Sequence, residues 1–165
     1  MLNLSTSNLL SAKQTLCLRG GLSYLSRLPA RKIAIFATKR SFEQYEPIKK
    51  IVDNKKRFDA RVIHPSWQGE PKLSQIKENI SELLEFNPDW IVAIGGGSVI
   101  DGVKIAWSLY ENPNFDESRL GIAFSLPKLR KKANFVAIPT TAGTGSETSS
   151  SAIITSENGN EKIPV

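Results

Sequence analysis

"WIVAIGGGSVIDGVKIA", residues Trp90 to Ala106, decides the fold. The apolar run Trp90 to Ile94 is short and ends at Gly95, so it reads as a buried strand. Beyond Gly95, Gly96 and Gly97 the period changes, and Val99, Val103, Ala106 and Trp107 fall on one side of a helix. Ordering three consecutive glycines carries a high backbone entropy cost. Their placement implies either glycine-only backbone angles or an approach to the main chain closer than a Cβ permits.

The pattern repeats outward from this stretch. "KIAIFA" (Lys32 to Ala37) and "FDARVIH" (Phe58 to His64) read as strands. "SFEQYEPIKKIVDNKK" between them reads as helical, with Pro47 near the helix start. "KLSQIKENISELLEF" places Leu73, Ile76, Ile80, Leu83 and Leu84 on one helical face, and "NPD" ends it before Trp90. After an irregular stretch from Glu111 to about Lys132, "ANFVAIP" reads as a fourth strand. "SSAIITSENGNEKIPV" reads as a C-terminal β-hairpin turning at Asn158-Gly159. Strand–helix–strand units of this length imply an α/β fold: a parallel sheet with helices on both faces and right-handed crossovers.

Composition bounds the function. At 165 residues the chain has room for one well-cored domain. The net charge of +6 is dispersed over the sequence and comes with no aromatic-basic platform, so nucleic acid is not an expected partner. Cys17 is the only cysteine, which excludes an internal disulfide and a cysteine-rich metal site. No apolar stretch approaches the roughly 20 residues of a membrane span, so no membrane partner is expected, and a cytoplasmic location is. The opening "MLNLSTSNLLSAKQTL" lacks a basic start followed by a solid apolar core and reads as an N-terminal arm, residues 1–17. The single histidine, His64, has no neighbours in sequence that would make a ligand cluster.

In parallel sheets, ligands bind beyond the carboxyl ends of the strands. Gly95 to Ser98 sits at such an end, where opening amides and the helix dipole favour a phosphate. The alternative is a tight strand–helix turn with no ligand. A second stretch, "IPTTAGTGSETSSSAIIT" (Ile138 to Thr155), also follows a strand and sets hydroxyl residues around Gly143 and Gly145. Two glycine-hydroxyl loops at two strand ends suit one extended phosphorylated ligand.

Together, "GGGSVIDGVKIA" and "IPTTAGTGSETS" resemble the iron-containing (group III) alcohol dehydrogenases, over roughly Leu18 to Val165. The resemblance implies a Rossmann-like dinucleotide-binding domain, residues 18–165, cut short at its C-terminus and without the family's all-helical second domain. It implies NAD or NADP as cofactor. Gly96, Gly97 and Ser98 match the pyrophosphate turn, and Asp101 and Lys104 match the family's DxxK pair. Asp101 also has a plainer reading as a carboxylate complementing the helix dipole. Thr140, Thr141 and Ser149 match cofactor contacts, and Lys162 matches a lysine approaching the nicotinamide ribose. Thr38 stands where many members carry an aspartate for the adenosine ribose, and Lys39 and Arg40 follow it. This departure leans toward NADP or dual use. The family's metal ligands lie beyond Val165, so Fe(II) or Zn(II) is expected only in a full-length family protein, and no catalytic residue or metal ligand is expected in this chain. The implied reaction interconverts a small alcohol with an aldehyde or ketone, and a homodimer is compatible with it. Two alternatives stay open: an inactive truncated dinucleotide-binding module, or a related polyol-phosphate dehydrogenase.

Overall fold

Four short apolar segments pair side by side because β-branched and aliphatic residues bury well on a pleated surface. In the computed structural model, which describes residues 14–17, 19–54, 57–122 and 125–165, these are β1 (Lys32–Ala37), β2 (Asp59–Ile63), β3 (Trp90–Gly95) and β4 (Asn134–Pro139). All pairings are parallel and the strand order is β2-β1-β3-β4. Helices α1 (Lys39–Gln44) and α2 (Glu46–Asp53) lead from β1 to β2, α3 (Leu73–Phe86) returns to β3, and α4 (Gly97–Glu111) leads toward β4. The chain therefore reverses its direction across the sheet between β1 and β3, the kind of switch point where α/β sheets bind ligands. The expected α/β class with helices on both faces is what the chain adopts. Of the expected N-terminal arm, residues 1–13 lie outside the described residues.

The central strands are buried on both faces. Ala34, Phe36, Ile91 and Ala93 pack toward α3 and α4, while Ile33, Ile35, Val92 and Ile94 pack toward α2 and the 3-10 turn Gly21–Arg27. Alternate residues serve opposite cores, as the period of two requires, which explains why these strands read as continuous apolar runs.

Pro47 stands in the first turn of α2, near the helix start as expected, and the residues ahead of it form the separate helix α1, with Tyr45 between the two. Two further readings are corrected. Leu84 is 47% exposed although Leu83 beside it is fully buried; one residue further turns a side chain about 100° around the axis. In α4 burial extends around nearly the whole helix rather than one side, because α3, β3, β4 and the C-terminal hairpin all pack against it.

The hairpin consists of antiparallel strands β5 (Ile153–Thr155) and β6 (Lys162–Pro164). Its loop is wider than the two-residue turn read from Asn158-Gly159. The Gly159 amide donates to the Ser156 carbonyl at 2.8 Å, and the Ser156 amide donates to the Glu161 carbonyl at 2.8 Å. Only Gly159 in this loop takes a positive φ, +80°. The hairpin is bonded to the start of α3: the Glu157 carboxylate accepts from the Ser74 amide at 2.9 Å and the Ser74 hydroxyl at 2.7 Å. These bonds, the backbone one foremost, hold the Glu157 carboxyl below its ordinary pKa.

Two buried polar groups brace the far end of α4. Glu111, 4% exposed, accepts the amides of Lys131, Lys132 and Ala133 at 2.8, 3.0 and 2.8 Å, which ties the irregular stretch to the start of β4. The Tyr110 hydroxyl lies 2.8 Å from Asn87 Oδ1 and 2.9 Å from the Pro88 carbonyl. Burial pushes the Tyr110 phenol up to about 12 from 10.0, and the neighbouring carboxylates of Glu111 and Asp89 add to the shift. A raised folded-state value means the contribution is intact below pH 10 and is lost as pH rises toward 12. Denaturant titrations across that window are expected to show a fall of roughly 2–3 kcal/mol from this group. Tyr110→Phe should remove that part of the slope; an identical slope in the variant would assign it to other groups.

Candidate functional site

Parallel strands bring their carboxyl ends to one edge of the sheet. Ala37 lies opposite Ile94, and Gly95 lies opposite Pro139. The next residues, Thr38, Gly96 and Thr140, therefore share that edge. The Thr140 amide donates to the Gly95 carbonyl at 2.9 Å and couples the two glycine-hydroxyl loops.

The glycine triplet is needed for space, not for unusual backbone angles. Gly96 has φ −73° and ψ 179°, open to any residue. A Cβ at Gly95 would stand 2.6 Å from Val99 Cβ, so the tight-packing reading holds at that position. At Gly96 a Cβ would stand 3.2 Å from Thr141 Oγ1, and at Gly97 it would stand 3.0 Å from Ser146 Oγ and Thr144 Cβ. At these two positions the absence of a Cβ lets the hydroxyl loop lie close against the α4 turn. The Val99 and Ile100 amides both donate to the Gly96 carbonyl at 3.1 Å, and the Gly97 and Ser98 amides stand at the opening of the helix. The hydroxyl loop reverses at Gly143 and Gly145, whose φ values of +95° and +67° favour glycine.

The start of α4 is held from behind by residues that sequence reasoning did not single out. Trp67 Nε1 donates to the Ser98 carbonyl at 3.2 Å. Its indole lies so close to α4 that a Cβ at Gly102 would come within 2.3 Å of Trp67 Cζ2. The signal in the sequence was a lone glycine inside a helical stretch.

Asp101 and Lys104 face the hairpin. Asp101, 8% exposed, accepts the Ile153 amide on Oδ2 at 3.1 Å, and its Oδ1 lies 3.5 Å from Lys104 Nζ. Lys104 Nζ donates to the Ser151 carbonyl at 2.7 Å, and burial lowers its pKa against the opposing pull of Asp101. Asp101 lies beyond the first turn of α4, so the helix-dipole reading does not hold; the pair instead fixes the 151–153 backbone against α4.

Thr38 caps α1, its Oγ1 accepting the Ser41 amide at 3.1 Å, and Lys39 and Arg40 are exposed in the turn that follows. Ser149 bonds locally, with its hydroxyl 2.9 Å from that of Ser151. Lys162 on β6 donates to Glu70, and this bond is the main cause of the lowered Glu70 carboxyl pKa. The structure thus gathers Gly96, Gly97, Ser98, Thr140 and Thr141 at one point, sets Thr38 one strand away, and leaves Ser149 and Lys162 on separate local partners. Among the described residues no group of three or more His, Cys, Asp or Glu side chains could hold a metal ion. No described helix is long and apolar enough to cross a membrane.

Comparison with known proteins adds a family. A family model described as iron-containing alcohol dehydrogenase matches residues 15–165. An NADPH-dependent butanol dehydrogenase of Clostridium saccharobutylicum is 30% identical over 148 residues, covering 89% of this chain and 38% of its own length. An aldehyde-alcohol dehydrogenase of Clostridium acetobutylicum is 40% identical over 101 residues, 56% of this chain and 12% of its own. The solved iron-containing alcohol dehydrogenase of Thermococcus thioreducens superposes with a TM-score of 0.75 at 30% identity, covering 88% of this chain and 40% of that one. The chain spans well under half the length of each of these proteins.

Proposed function

The chain belongs to the iron-containing alcohol dehydrogenase family, and we propose that it supplies the nicotinamide-dinucleotide-binding part of an enzyme interconverting a small alcohol with an aldehyde or ketone. The observation that carries this reading is the close approach of the hydroxyl loop to the α4 turn, which the missing Cβ atoms of Gly96 and Gly97 allow. It lies at the start of a 15-residue helix, where opening amides and the dipole suit a pyrophosphate. The residues present therefore fit a dinucleotide.

When bound, the nicotinamide accepts or delivers the hydride. The chain's own residues bind and orient. The Gly97 and Ser98 amides receive the pyrophosphate, and the Thr140 and Thr141 hydroxyls flank it. Asp101 and Lys104 act one step back by fixing the 151–153 backbone. Ser149 adds a hydroxyl, and Lys162 reaches the nicotinamide ribose from its place beside Glu70. The described residues do not fit a metal ion, so a dinucleotide-binding module without turnover is the second reading.

Thr38 sets cofactor choice in this reading. A carboxylate there would repel a 2′-phosphate; threonine does not, and Lys39 and Arg40 add positive charge. The name of the NADPH-dependent relative supports the same direction. Titration of the chain with NADPH and NADH tests the whole reading: saturable binding is expected, and absence of binding to either would remove it. Thr38→Asp preserves an N-cap and is expected to weaken NADPH by about 1–3 kcal/mol more than NADH. Equal change for both cofactors would dissociate Thr38 from the choice.

A further inference from the structure

Resting on the dinucleotide reading, we propose that His64, with Thr38, Lys39 and Arg40, forms the subsite for the 2′-phosphate of NADP(H) and engages it as the protonated imidazolium. His64 directly follows β2, so it lies on the same sheet edge as Thr38 and Gly96. Adjacent strands are about 4.8 Å apart. In the order β2-β1-β3-β4, the end of β2 is two strands, about 10 Å, from the end of β3. A ribose with a phosphate on either side covers such a span.

The side chain is already held in place. His64 Nδ1 lies 2.7 Å from the Ala37 carbonyl oxygen. A carbonyl oxygen only accepts, so Nδ1 carries a hydrogen and Nε2 is the nitrogen left for a ligand. Phe42 of α1 stands edge-on to the ring, with centroids 6.4 Å apart at 70°. The backbone is fixed too: Asn79 of α3, 6% exposed, donates to the His64 carbonyl at 3.2 Å and accepts the Ser66 amide at 3.0 Å. Preorganisation of this kind spares the ordering cost when a ligand arrives.

The fixed tautomer gives the ring two opposite behaviours. Neutral, Nε2 presents a lone pair to a phosphate oxygen and repels it. Protonated, it becomes a charge-assisted donor. The phosphate dianion favours the second state, and the basic neighbours share its charge. Lys39 and Arg40 of α1 are exposed beside Thr38, and Glu43 lies a turn further on. On β2, Arg61 is occupied by Glu85 at 3.4 Å, and Asp59 is at the opposite end of the strand. The contact from α3 is the neutral Asn79. NADH, with a hydroxyl at the 2′ position, makes no demand for this proton, so His64 discriminates between the cofactors through proton uptake.

Isothermal titration of the 165-residue chain at about pH 7.5, in two buffers of different ionisation enthalpy, reads that uptake directly. Proton uptake is expected with NADPH and not with NADH. His64→Gln is similar in size but cannot take the charge. It should abolish the uptake and weaken NADPH about tenfold, with NADH unchanged. The same uptake for both cofactors, or NADPH binding unaltered by His64→Gln, overturns the inference and leaves the dinucleotide reading standing. Failure of the unsubstituted chain to bind either cofactor overturns both.

Discussion

Gly96→Val is expected to lower affinity for NADPH and NADH alike by a factor on the order of 100 or more, without unfolding the sheet. Valine can adopt φ −73° and ψ 179°, so the backbone does not suffer. The damage is steric and local. The new Cβ stands 3.2 Å from Thr141 Oγ1 and 3.5 Å from Thr141 Cγ2, and its two methyl groups add bulk beside the opening amides of α4. A pyrophosphate then loses its approach to at least two amide donors. Charge-assisted bonds contribute roughly 1.5–3 kcal/mol each, and two of them exceed a factor of 100. The measurement is titration by calorimetry or nucleotide fluorescence, with circular dichroism as the check on folding. Unchanged affinity in a folded variant would mean that this turn does not hold the pyrophosphate.

Gly102→Val acts on stability instead. Its Cβ would lie 2.3 Å from Trp67 Cζ2 and 2.6 Å from Cε2, well inside contact distance. The indole must swing away, which breaks its bond to the Ser98 carbonyl and unpacks the loop between β2 and α3 from α4. Trp67 is only 3% exposed and has no empty space beside it in a close-packed interior. A loss of roughly 3–5 kcal/mol is expected, at the upper end of overpacking costs because a hydrogen bond goes as well. Chemical denaturation of the variant checks it. Adding Trp67→Leu to Gly102→Val should recover part of the loss by making room, a coupling that a double-mutant cycle isolates. A loss under about 1 kcal/mol for the single variant would mean that the indole does not pack against Gly102 as described.

These two glycines also mark how far the chain can be read without coordinates. Gly96 belongs to a run of three at the meeting of two periodicities, so the strand–helix turn it makes was visible from spacing alone. Gly102 stands singly in a helix, and nothing within several residues of it announces the tryptophan that requires it. The same holds for Asn79 and Glu111. Asn79 stands in a helical stretch and Glu111 at the start of one read as irregular, and the ordinary reading of a polar residue at either place is solvated. Each is buried because its partners, at residues 64–66 and 131–133, arrive from distant parts of the chain. The α4 pair divides in the same way. The i, i+3 spacing of Asp101 and Lys104 was legible, but their attachment to Ile153 and Ser151 was not.

The sequence by itself determined the alternation of strand and helix, the parallel sheet, the α4 turn and the hydroxyl loop. All of these follow from local period, glycine position and the hydrophobic demand of a two-faced sheet. The tertiary structure decided which glycines serve space and which serve backbone angle, where Asp101 and Lys162 direct their charge, and which ring nitrogen His64 leaves open. Those outcomes depend on groups brought together by packing across tens of residues. Distances of 3 Å between such groups are set by the strand order and by how the hairpin lies on α4, not by anything in their immediate neighbours along the chain.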